Sequence, residues 1–475
     1  MRTVLVTGTG GAGRTTVAAA TALAAAREGR RALLLTADRD GTPEALLGLP
    51  APRPAAAASA ERLPWSPPVE AAPGMWAARI AADDWFRGEL TSLQERGSGA
   101  LDMLGAAPLD PEELTGLPGT EAFAVLRALR AVHDTDPAAA EGARPCRKGE
   151  RAEAPRNEGP STVDRRQGLR RPGGEPSCHY WDVLVVDMPP ASDTVAVLAL
   201  PEQLRRYLRR LLPAERQAAR ALRPMLAQLA GVPMPAQKLY ETAERWEREL
   251  AGVQALIESE ATTVRLVVDP GPLADRALRT ARAGLALYGC RVEAVVANRL
   301  LPTGTADPWL AALSGQQQAA LKELHGEWAP DVPVRELPHL GRDPIEANGP
   351  RDPDAPRDSA GPGGAPQAGG LAALVASVGA PEPRPDRPAA EPWTVEDRLA
   401  DEGELVWRLP LPGADRDALG LVRRGDELII TVGPFHRVLP LPSALRRCTV
   451  SGAGLRDGRL HVRFAPDPEL WPRGL

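Results

Sequence analysis

A short glycine-rich stretch near the start of the chain constrains the fold more than any other feature. It reads Gly8-Thr9-Gly10-Gly11-Ala12-Gly13-Arg14-Thr15-Thr16. An apolar run, Val4-Leu5-Val6, precedes it, and an alanine-rich segment of helical character follows it to Arg27. Glycines let backbone N–H groups converge on an anion, and the N-terminus of the following helix adds a favourable potential. The stretch therefore predicts a strand, a phosphate-binding turn and a helix, which together open a parallel α/β unit.

Two nucleotide-binding motifs fit the same glycines. Under the pattern G-x-x-x-x-G-K-[ST], Gly8 to Thr15 form a phosphate-binding loop in which Arg14 stands at the lysine position. Under the pattern G-x-G-x-x-G, the glycines form a dinucleotide fingerprint, and Asp38, after the next apolar run, could hold a ribose hydroxyl. A tight turn that binds nothing is the third alternative.

Residues further along the chain favour the phosphate-binding loop. The apolar segment 181–187 has the character of a buried strand and ends in Asp187. An acid at a strand end and a hydroxyl after the loop, here Thr15, are the groups that a Mg²⁺-dependent triphosphate site needs. A short-chain dehydrogenase would need a Tyr-x-x-x-Lys pair, and none of the three lysines has a tyrosine four residues before it. We therefore favour ATP or ADP with Mg²⁺ and keep NAD(P) as the alternative.

Composition narrows the class of protein further. The 475 residues allow two or three domains, and the net charge of −5 gives no indication of a nucleic-acid partner. No uncharged apolar run approaches the roughly 18 residues that a membrane helix needs. The four cysteines form no C-x-x-C pair, which argues against a disulfide framework or a paired-cysteine zinc site. We therefore expect a cytoplasmic protein that is not an integral membrane protein.

Changes in periodicity and composition divide the chain into regions. Residues 1–379 are predicted to form the nucleotide-binding α/β domain, with strands at 263–268 and 293–298 joined by a crossover helix at 273–288. After residue 392 the apolar period changes to two, which predicts an antiparallel β domain. The remaining predictions are helical subdomain elements at about 75–116 and 195–260, disordered insertions at about 135–178 and 348–370, a linker at 380–392 and the β domain at 393–475.

As a set, these motifs resemble the ArsA-type ATPases, which comprise the arsenite-pump and tail-anchored-protein-targeting ATPases. The glycine stretch resembles that family's deviant phosphate loop, G-K-G-G-V-G-K-T-T. The C-terminal module resembles the α-crystallin, or small heat-shock, domain that one branch of the family carries. Other stretches follow in the family's order: Thr36–Gly48 resembles the first switch, Pro118–Glu121 the P-G-x-x-E turn, Asp187–Leu198 the second switch, Leu200–Leu212 the start of the helical subdomain, and Val296–Pro302 the V-x-N-R-x-L-P adenine loop.

The resemblance implies a fold, a ligand and a set of roles. It implies a parallel-sheet P-loop NTPase with a helical subdomain and a C-terminal antiparallel β-sandwich, forming a dimer that closes around ATP and Mg²⁺. Thr15 and Asp187 would serve the metal, Asn298 the adenine, and Asp38 the attacking water or the metal. The residues that would hold the phosphates are Gly10, Gly11, Ala12, Gly13, Arg14, Thr15 and Thr16.

Departures from the family pattern concern the charged groups. The signature lysine of the family is Thr9 here, and the loop lysine is Arg14, whose planar fork does not replace a compact ammonium. The water-positioning aspartate of the first switch aligns with Ala45, and Glu44, one residue away, is the remaining catalytic candidate. We therefore expect weak or absent hydrolysis in a chaperone-like ATPase or dimeric switch. The alternative is a non-catalytic partner subunit that pairs with an intact paralogue.

The helical block 200–260 leaves two interpretations open. Its apolar residues at helical spacing fit an ordinary helix core, and they also fit a groove for a hydrophobic protein client.

Overall fold

The structure is a computed structural model, and it describes most of the chain in several segments. The insertion predicted at about 135–178 lies outside the described residues, as do 348–369 of the insertion predicted at about 348–370, whose last residue, Gly370, begins a helix. Residues 212–234 of the predicted helical block and 384–392 of the linker also lie outside them. The described residues are 1–38, 40–49, 64–96, 109–110, 113–114, 116–134, 181–211, 235–329, 331–341, 344, 370–383 and 393–471.

A single large sheet organises the first part of the chain. Its strands are β1 (Arg2–Gly8), β2 (Ala32–Thr36), β3 (Val69–Ala72), β4 (Met75–Arg79), β5 (Val183–Asp187), β6 (Thr262–Val268), β7 (Val292–Leu300) and β8 (Val334–Pro338). They lie in the order β3-β4-β2-β5-β1-β6-β7-β8, and every neighbouring pair is parallel except β3 with β4. From β1 the chain leaves towards β2 on one side and later reaches β6 on the other. Ligands of such sheets bind at this kind of switch point, beyond the carboxyl ends of the strands.

Helices cover both faces of this sheet. Within β1, Val4 and Val6 belong to the core on one face and Leu5 to the core on the other, as the two-residue repeat of a strand requires. The alanine-rich first helix buries Ala18, Ala19 and neighbouring small residues, which lets it approach the strands closely. The helices are α1 (Arg14–Arg27), α2 (Thr42–Leu47), α3 (Ala82–Arg96), α4 (Thr120–Asp134), α5 (Ala191–Leu211), α6 (Pro235–Glu258), α7 (Pro272–Leu287), α8 (Pro308–Trp328) and α9 (Gly370–Val378).

One predicted helical element begins with a strand instead. The sequence pattern placed a helix from residue 75, but Met75–Arg79 is β4, and the helix α3 begins only at Ala82. The spacing of Trp76 and Ile80 suits a helix, yet Met75 pairs in parallel with Ala32 and is fully buried in the sheet. Residues 69–72 form the edge strand β3 beside β4. Pairing with a neighbouring strand overrides the local pattern here.

The C-terminal region forms two antiparallel sheets. The strands are β9 (Thr394–Arg398), β10 (Glu404–Pro410), β11 (Leu419–Arg424), β12 (Glu427–Val432), β13 (Phe435–Pro440), β14 (Cys448–Arg456) and β15 (Arg459–Pro466). One sheet has the order β14-β15-β10-β9 and the other β11-β12-β13. Leu405, Trp407 and Leu409 of β10 are buried in a core shared with Leu428 and Ile430 of β12. This confirms the antiparallel β domain that the two-residue periodicity predicts.

The β domain packs directly against the α/β domain. Phe435 of β13 is buried and lies on the backbone of α7 at Gly284, where an added Cβ would be 2.5 Å from the phenyl ring. The same Cβ would lie 3.1 Å from Val195, in the first part of α5. Glycine is therefore required at position 284 for α7 to pack this closely against its neighbours.

Polar contacts surround this apolar contact. Arg437 of β13 forms an ion pair with Glu202 of α5 at 2.9 Å and donates a hydrogen bond to the carbonyl oxygen of Leu287 at 2.8 Å. Glu427 of β12 accepts hydrogen bonds from two arginines of α5, Arg206 and Arg210. The β domain therefore contacts the helix that follows Asp187 along the chain.

No helix among the described residues combines the length and the apolar composition that a membrane span requires.

Candidate nucleotide-binding site

The loop between β1 and α1 has backbone geometry that only glycine accommodates well. A Cβ on Gly8 would lie 1.9 Å from the carbonyl oxygen of Val267 in the adjacent strand β6. Gly11 and Gly13 have φ values of 75° and 84°, in the left-handed region. A side chain at Gly13 would also meet Nδ2 of Asn298 at 2.5 Å. Three of the four glycines in the motif are thus explained by packing or by backbone conformation.

The outer side of the loop is open. A Cβ built on Gly10 or on Gly11 meets no atom of the described residues within 4 Å. The helix α1 begins at Arg14 after Gly13, and no side chain caps its first turn. The first N–H groups of any helix lack partners inside the helix, so this end presents donors to the open space. Thr16 lies in the same first turn and is partly exposed. The arrangement suits an anion such as a phosphate group.

Asp187 lies at the end of β5 and connects this loop to the next strand. Its Oδ2 accepts hydrogen bonds from Thr15 Oγ1 at 2.8 Å and from Thr36 Oγ1 at 3.2 Å. Asp187 is buried, and burial raises its pKa to about 6, although the Thr15 hydroxyl and the charge of Arg14 act in the opposite direction. A carboxylate in this condition gains from a nearby cation, and oxygen ligands of this kind are those that Mg²⁺ prefers.

The two catalytic candidates of the first switch are held in different ways. Asp38 belongs to the Asp187 network, because its backbone N–H donates to Thr36 Oγ1 at 3.1 Å. Its carboxylate accepts the backbone N–H of Thr42 at 3.0 Å, and its negative charge contributes to the raised pKa of Asp187. Glu44, in contrast, accepts from Arg79 Nη2 at 2.7 Å through Oε1. The structure therefore places Asp38 beside the candidate metal site. Glu44, which belongs to α2, is instead paired with Arg79 of β4.

The cation of the loop contacts the second switch. Arg14 Nη1 donates a hydrogen bond to the carbonyl oxygen of Met188 at 2.6 Å. Met188 follows Asp187 directly, so this contact connects the start of α1 to the segment that leads into α5. In this conformation the guanidinium group of Arg14 binds a backbone carbonyl oxygen. A lysine ammonium group lacks the planar geometry of this guanidinium group.

Two consecutive residues of β7 contact the loop from the other side. Asn298 is buried, and its Nδ2 donates to the carbonyl oxygen of Ala12 at 2.8 Å. Arg299 Nη1 donates to the carbonyl oxygen of Gly11 at 2.7 Å. Arg299 and Thr36 were not among the site residues predicted from the sequence. Both lie inside motifs that resemble the family, but spacing alone gives no signal for their contacts.

Replacing Gly10 with alanine should separate binding from folding. Gly10 has no left-handed backbone and its Cβ would meet open space, so we expect the free energy of unfolding to change by less than about 0.5–1 kcal/mol. The same methyl group would occupy the space in front of the loop, and we expect nucleotide affinity to fall about tenfold or more. Thermal unfolding and calorimetric titration measure the two effects. The matched control is Gly454→Ala in β14, also open, and unchanged affinity of Gly10→Ala would contradict this placement of the ligand.

The sheet and the loop together have the features of one class of protein. A parallel sheet with a glycine loop after its central strand, and an acid at the end of the neighbouring strand, is a P-loop-like α/β architecture. The sequence model of the anion-transporting ATPase family matches residues 1–40 and 175–347. A second model, the HSP20-like domain found in ArsA, matches residues 402–464. The chain belongs to the ArsA-type ATPase family, in the branch with an HSP20-like C-terminal domain.

Two similar proteins span almost the whole chain. The uncharacterized protein SCO2128 of Streptomyces coelicolor is 48% identical over 478 residues, which is 100% of each chain. Protein Rv2184c of Mycobacterium tuberculosis is 29% identical and covers 99% of this chain and 97% of its own length. A putative arsenical pump-driving ATPase 1 of Aquifex aeolicus is 25% identical, over 56% of this chain and 62% of its own length. The first two relatives therefore align with both domains of this chain.

Proposed function

We propose that this chain is an ATP- and ADP-binding, Mg²⁺-dependent switch of the ArsA type, a chaperone-like ATPase with slow hydrolysis. The observation that carries the proposal is the 2.8 Å contact of Thr15 with buried Asp187 beneath an open glycine loop. A hydroxyl and a carboxylate brought together in this way are the two protein groups that a Mg²⁺–nucleotide site requires.

Each group of the site has a role in this proposal. The backbone N–H groups from Gly10 to Thr16 hold the phosphates, while Thr15 and Asp187 hold Mg²⁺ directly or through water. Bound Mg²⁺ neutralises charge on the phosphate oxygens. The Nδ2 of Asn298 is engaged by Ala12, which leaves Oδ1 to accept a hydrogen bond from the exocyclic amine of adenine. Asp38 lies on the same network and orients water near the metal.

Slow hydrolysis follows from the charged groups. Position 9 is threonine, and the backbone N–H of Thr9 donates to Val267 O at 3.0 Å. Arg14 is engaged by Met188, and Glu44 is paired with Arg79. Fewer cations at the transferred phosphate mean weaker stabilisation of the transition state, which lowers phosphoryl-transfer rates by orders of magnitude. Binding through backbone N–H groups does not depend on these side chains.

The proposal includes an assembly and a client. By resemblance to its family the chain works as a dimer, either with itself or with an intact paralogue, in the cytoplasm. Support for a hydrophobic client comes from α5 and α6, where Tyr207, Leu211 and Trp246 are 54%, 76% and 48% exposed. Exposed apolar side chains on neighbouring helices are a feature of surfaces that bind proteins.

A ligand screen with an activity assay tests this function. Thermal unfolding of the full chain with ATP, ADP or NAD(P), with and without Mg²⁺, should show stabilisation by the adenine nucleotides with Mg²⁺. A steady-state phosphate-release assay should then give turnover far below about 1 s⁻¹, the low end of ordinary enzyme turnover. Stabilisation by NAD(P) alone would favour a dinucleotide site. Faster turnover that Asp187→Asn abolishes would contradict slow hydrolysis but not nucleotide binding.

A further inference from the structure

We propose that Arg299 is a cation of the phosphate site in this protein and positions the glycine loop, a role that rests on the proposed nucleotide binding. Among the described residues around the loop, Arg299 alone combines a contact with the loop, an exposed guanidinium group and a left-handed backbone.

The end of β7 turns two consecutive side chains towards the loop. In a regular strand, successive side chains point to opposite faces of the sheet. Here the pairing of β7 with β8 shifts register between Ala297 and Leu300, which is the signature of a bulge. As a result, Asn298 reaches Ala12 O and its neighbour Arg299 reaches Gly11 O. An added Cβ on Gly13 would lie 4.0 Å from Arg299 Nε, so the guanidinium group extends along the loop.

The backbone of Arg299 is held in a conformation that arginine rarely adopts. Its φ is 58°, and Gln317 of α8 donates a hydrogen bond to its carbonyl oxygen at 3.1 Å. The amide of Gln317 also accepts the backbone N–H of Leu301 at 2.8 Å. Among the described residues, only Asp457 shares a positive φ outside glycine, and it occupies a hairpin turn. Strain of this kind persists where the surrounding structure enforces it, and it concentrates at functional sites.

The contact of Arg299 also holds the turn of the loop. A trans peptide points its C=O and the following N–H in opposite directions. Arg299 contacts the carbonyl oxygen of Gly11, and the N–H that follows it, that of Ala12, donates to Thr9 O at 3.4 Å within the loop. Asn298 holds the next carbonyl group, that of Ala12. Arg299 and Asn298 therefore fix two consecutive peptide groups of the loop from the side of β7.

Charge gives Arg299 a second contribution. Thr9 is neutral and Arg14 directs Nη1 to Met188 O, so the two positions where the resembled phosphate loop has lysine supply at most one cation here. Arg299 uses one N–H for Gly11 O and keeps further donors in an exposed position. A guanidinium group beside the loop offsets the negative charge of a phosphate, and its planar fork suits phosphate oxygens.

The test compares Arg299→Asn and Arg299→Lys with the wild-type full chain. Asparagine tolerates a left-handed backbone, so Arg299→Asn should keep or raise Tm while it removes the charge. We expect its affinity for ATP and for inorganic tripolyphosphate, which has no base, to fall by a similar factor of about ten or more. Arg299→Lys should recover part of the loss. Arg424→Gln, an exposed arginine of β11, is the charge-matched control and should bind as wild type does.

The outcomes distinguish nucleotide binding by the chain from the role of Arg299 in it. If the wild-type chain binds neither ATP nor tripolyphosphate, the proposed function fails and Arg299 loses its role with it. If the wild type binds and Arg299→Asn binds equally well, the proposed function stands and the role of Arg299 is refuted. A loss for ATP without a loss for tripolyphosphate, or a fall in Tm that matches the fall in affinity, would also refute a phosphate-site role.

Discussion

Replacing Asp187 with asparagine is expected to stabilise the nucleotide-free protein at neutral pH and to remove the Mg²⁺ dependence of nucleotide binding. Burial raises the pKa of Asp187 from 3.8 to about 6. Above that pH Asp187 is ionised in the folded protein, where its charge is less stable than in the unfolded chain. Asparagine keeps the acceptor for the Thr15 and Thr36 hydroxyl groups and removes the charge. A shift of this size corresponds to roughly 2–3 kcal/mol at most.

The sign of the pH dependence follows from proton binding. Between pH 3.8 and about 6 the folded protein holds a proton on Asp187 that the unfolded chain has released. Stability from this group therefore falls as pH rises through that window, and the cost is complete above it. The stabilising effect of Asp187→Asn should be largest at pH 7–8 and should disappear near pH 4. Bound Mg²⁺ should reverse the order, because only the wild-type carboxylate gains from the cation.

Denaturation curves at several pH values, with and without Mg²⁺–ADP, measure this prediction. Asp182→Asn is the matched control, because Asp182 directly precedes β5, the strand that ends in Asp187. Although burial alone would raise the pKa of Asp182, the hydrogen bonds and charge of Arg31 hold it below its ordinary value. That substitution should therefore lower stability at neutral pH. If Asp187→Asn destabilises the apo protein as Asp182→Asn does, Asp187 is a structural residue and not a poised metal ligand.

Gly284→Ala is expected to disrupt the docking of the β domain. The added Cβ would lie 2.5 Å from the ring of Phe435 and 3.1 Å from Val195, so either the ring or the helices must move. Overpacking of this kind costs about 1–3 kcal/mol. We expect a lower free energy of unfolding and earlier loss of protection in the β domain. Calorimetric unfolding and hydrogen exchange measure the two effects.

A second substitution separates the steric clash from the effect that alanine has on helix stability. Gly315→Ala in α8 adds the same methyl group where nothing lies within 4 Å, and it should stabilise the helix by up to about 1 kcal/mol. Phe435→Leu combined with Gly284→Ala should recover part of the loss, since the smaller side chain leaves room. Equal stability of Gly284→Ala and wild type would show that the domains do not pack as described here.

This contact matters for function because of the position of α5. The helix begins at Ala191, four residues after Asp187, and Thr194 in its first turn donates to Pro189 O at 2.8 Å. Val195, the next residue, and Phe435 both lie beside Gly284, at 3.1 and 2.5 Å from a Cβ built there. The β domain is therefore one helical turn from the segment that follows the candidate metal ligand. Movement of that segment would be transmitted to the β domain through direct packing.

The sequence predicts the architecture because its signals are local and repeated. Three such signals each predict an element that the structure has. They are the glycine loop after Val4–Val6, the acid at the end of 181–187 and the two-residue period after residue 392. It could not predict that residues 75–79 pair with β2, because their spacing suits a helix and only the partner strand decides between the two. Long-range pairing is not encoded in local periodicity.

The site is predictable in its residue types more than in its contacts. The glycines, Thr15, Asp187 and Asn298 follow from motifs, and the structure brings them together around one loop. The engagement of Arg14 by Met188 and of Glu44 by Arg79 depends on side-chain partners from distant parts of the chain. Arg299 depends on a bulge and a left-handed backbone, which no pattern of residue types reveals.

Backbone N–H groups of the glycine loop, with Thr15 and Asp187, are proposed to bind an adenine nucleotide with Mg²⁺. The decisive experiment is isothermal titration of the full chain with ADP or ATP in excess Mg²⁺. We expect saturable binding with one site per chain, weakened by chelation of Mg²⁺ and by Gly10→Ala. Absence of any measurable adenine-nucleotide affinity, whether the chain is monomeric or dimeric in the calorimeter cell, would contradict nucleotide binding at this site.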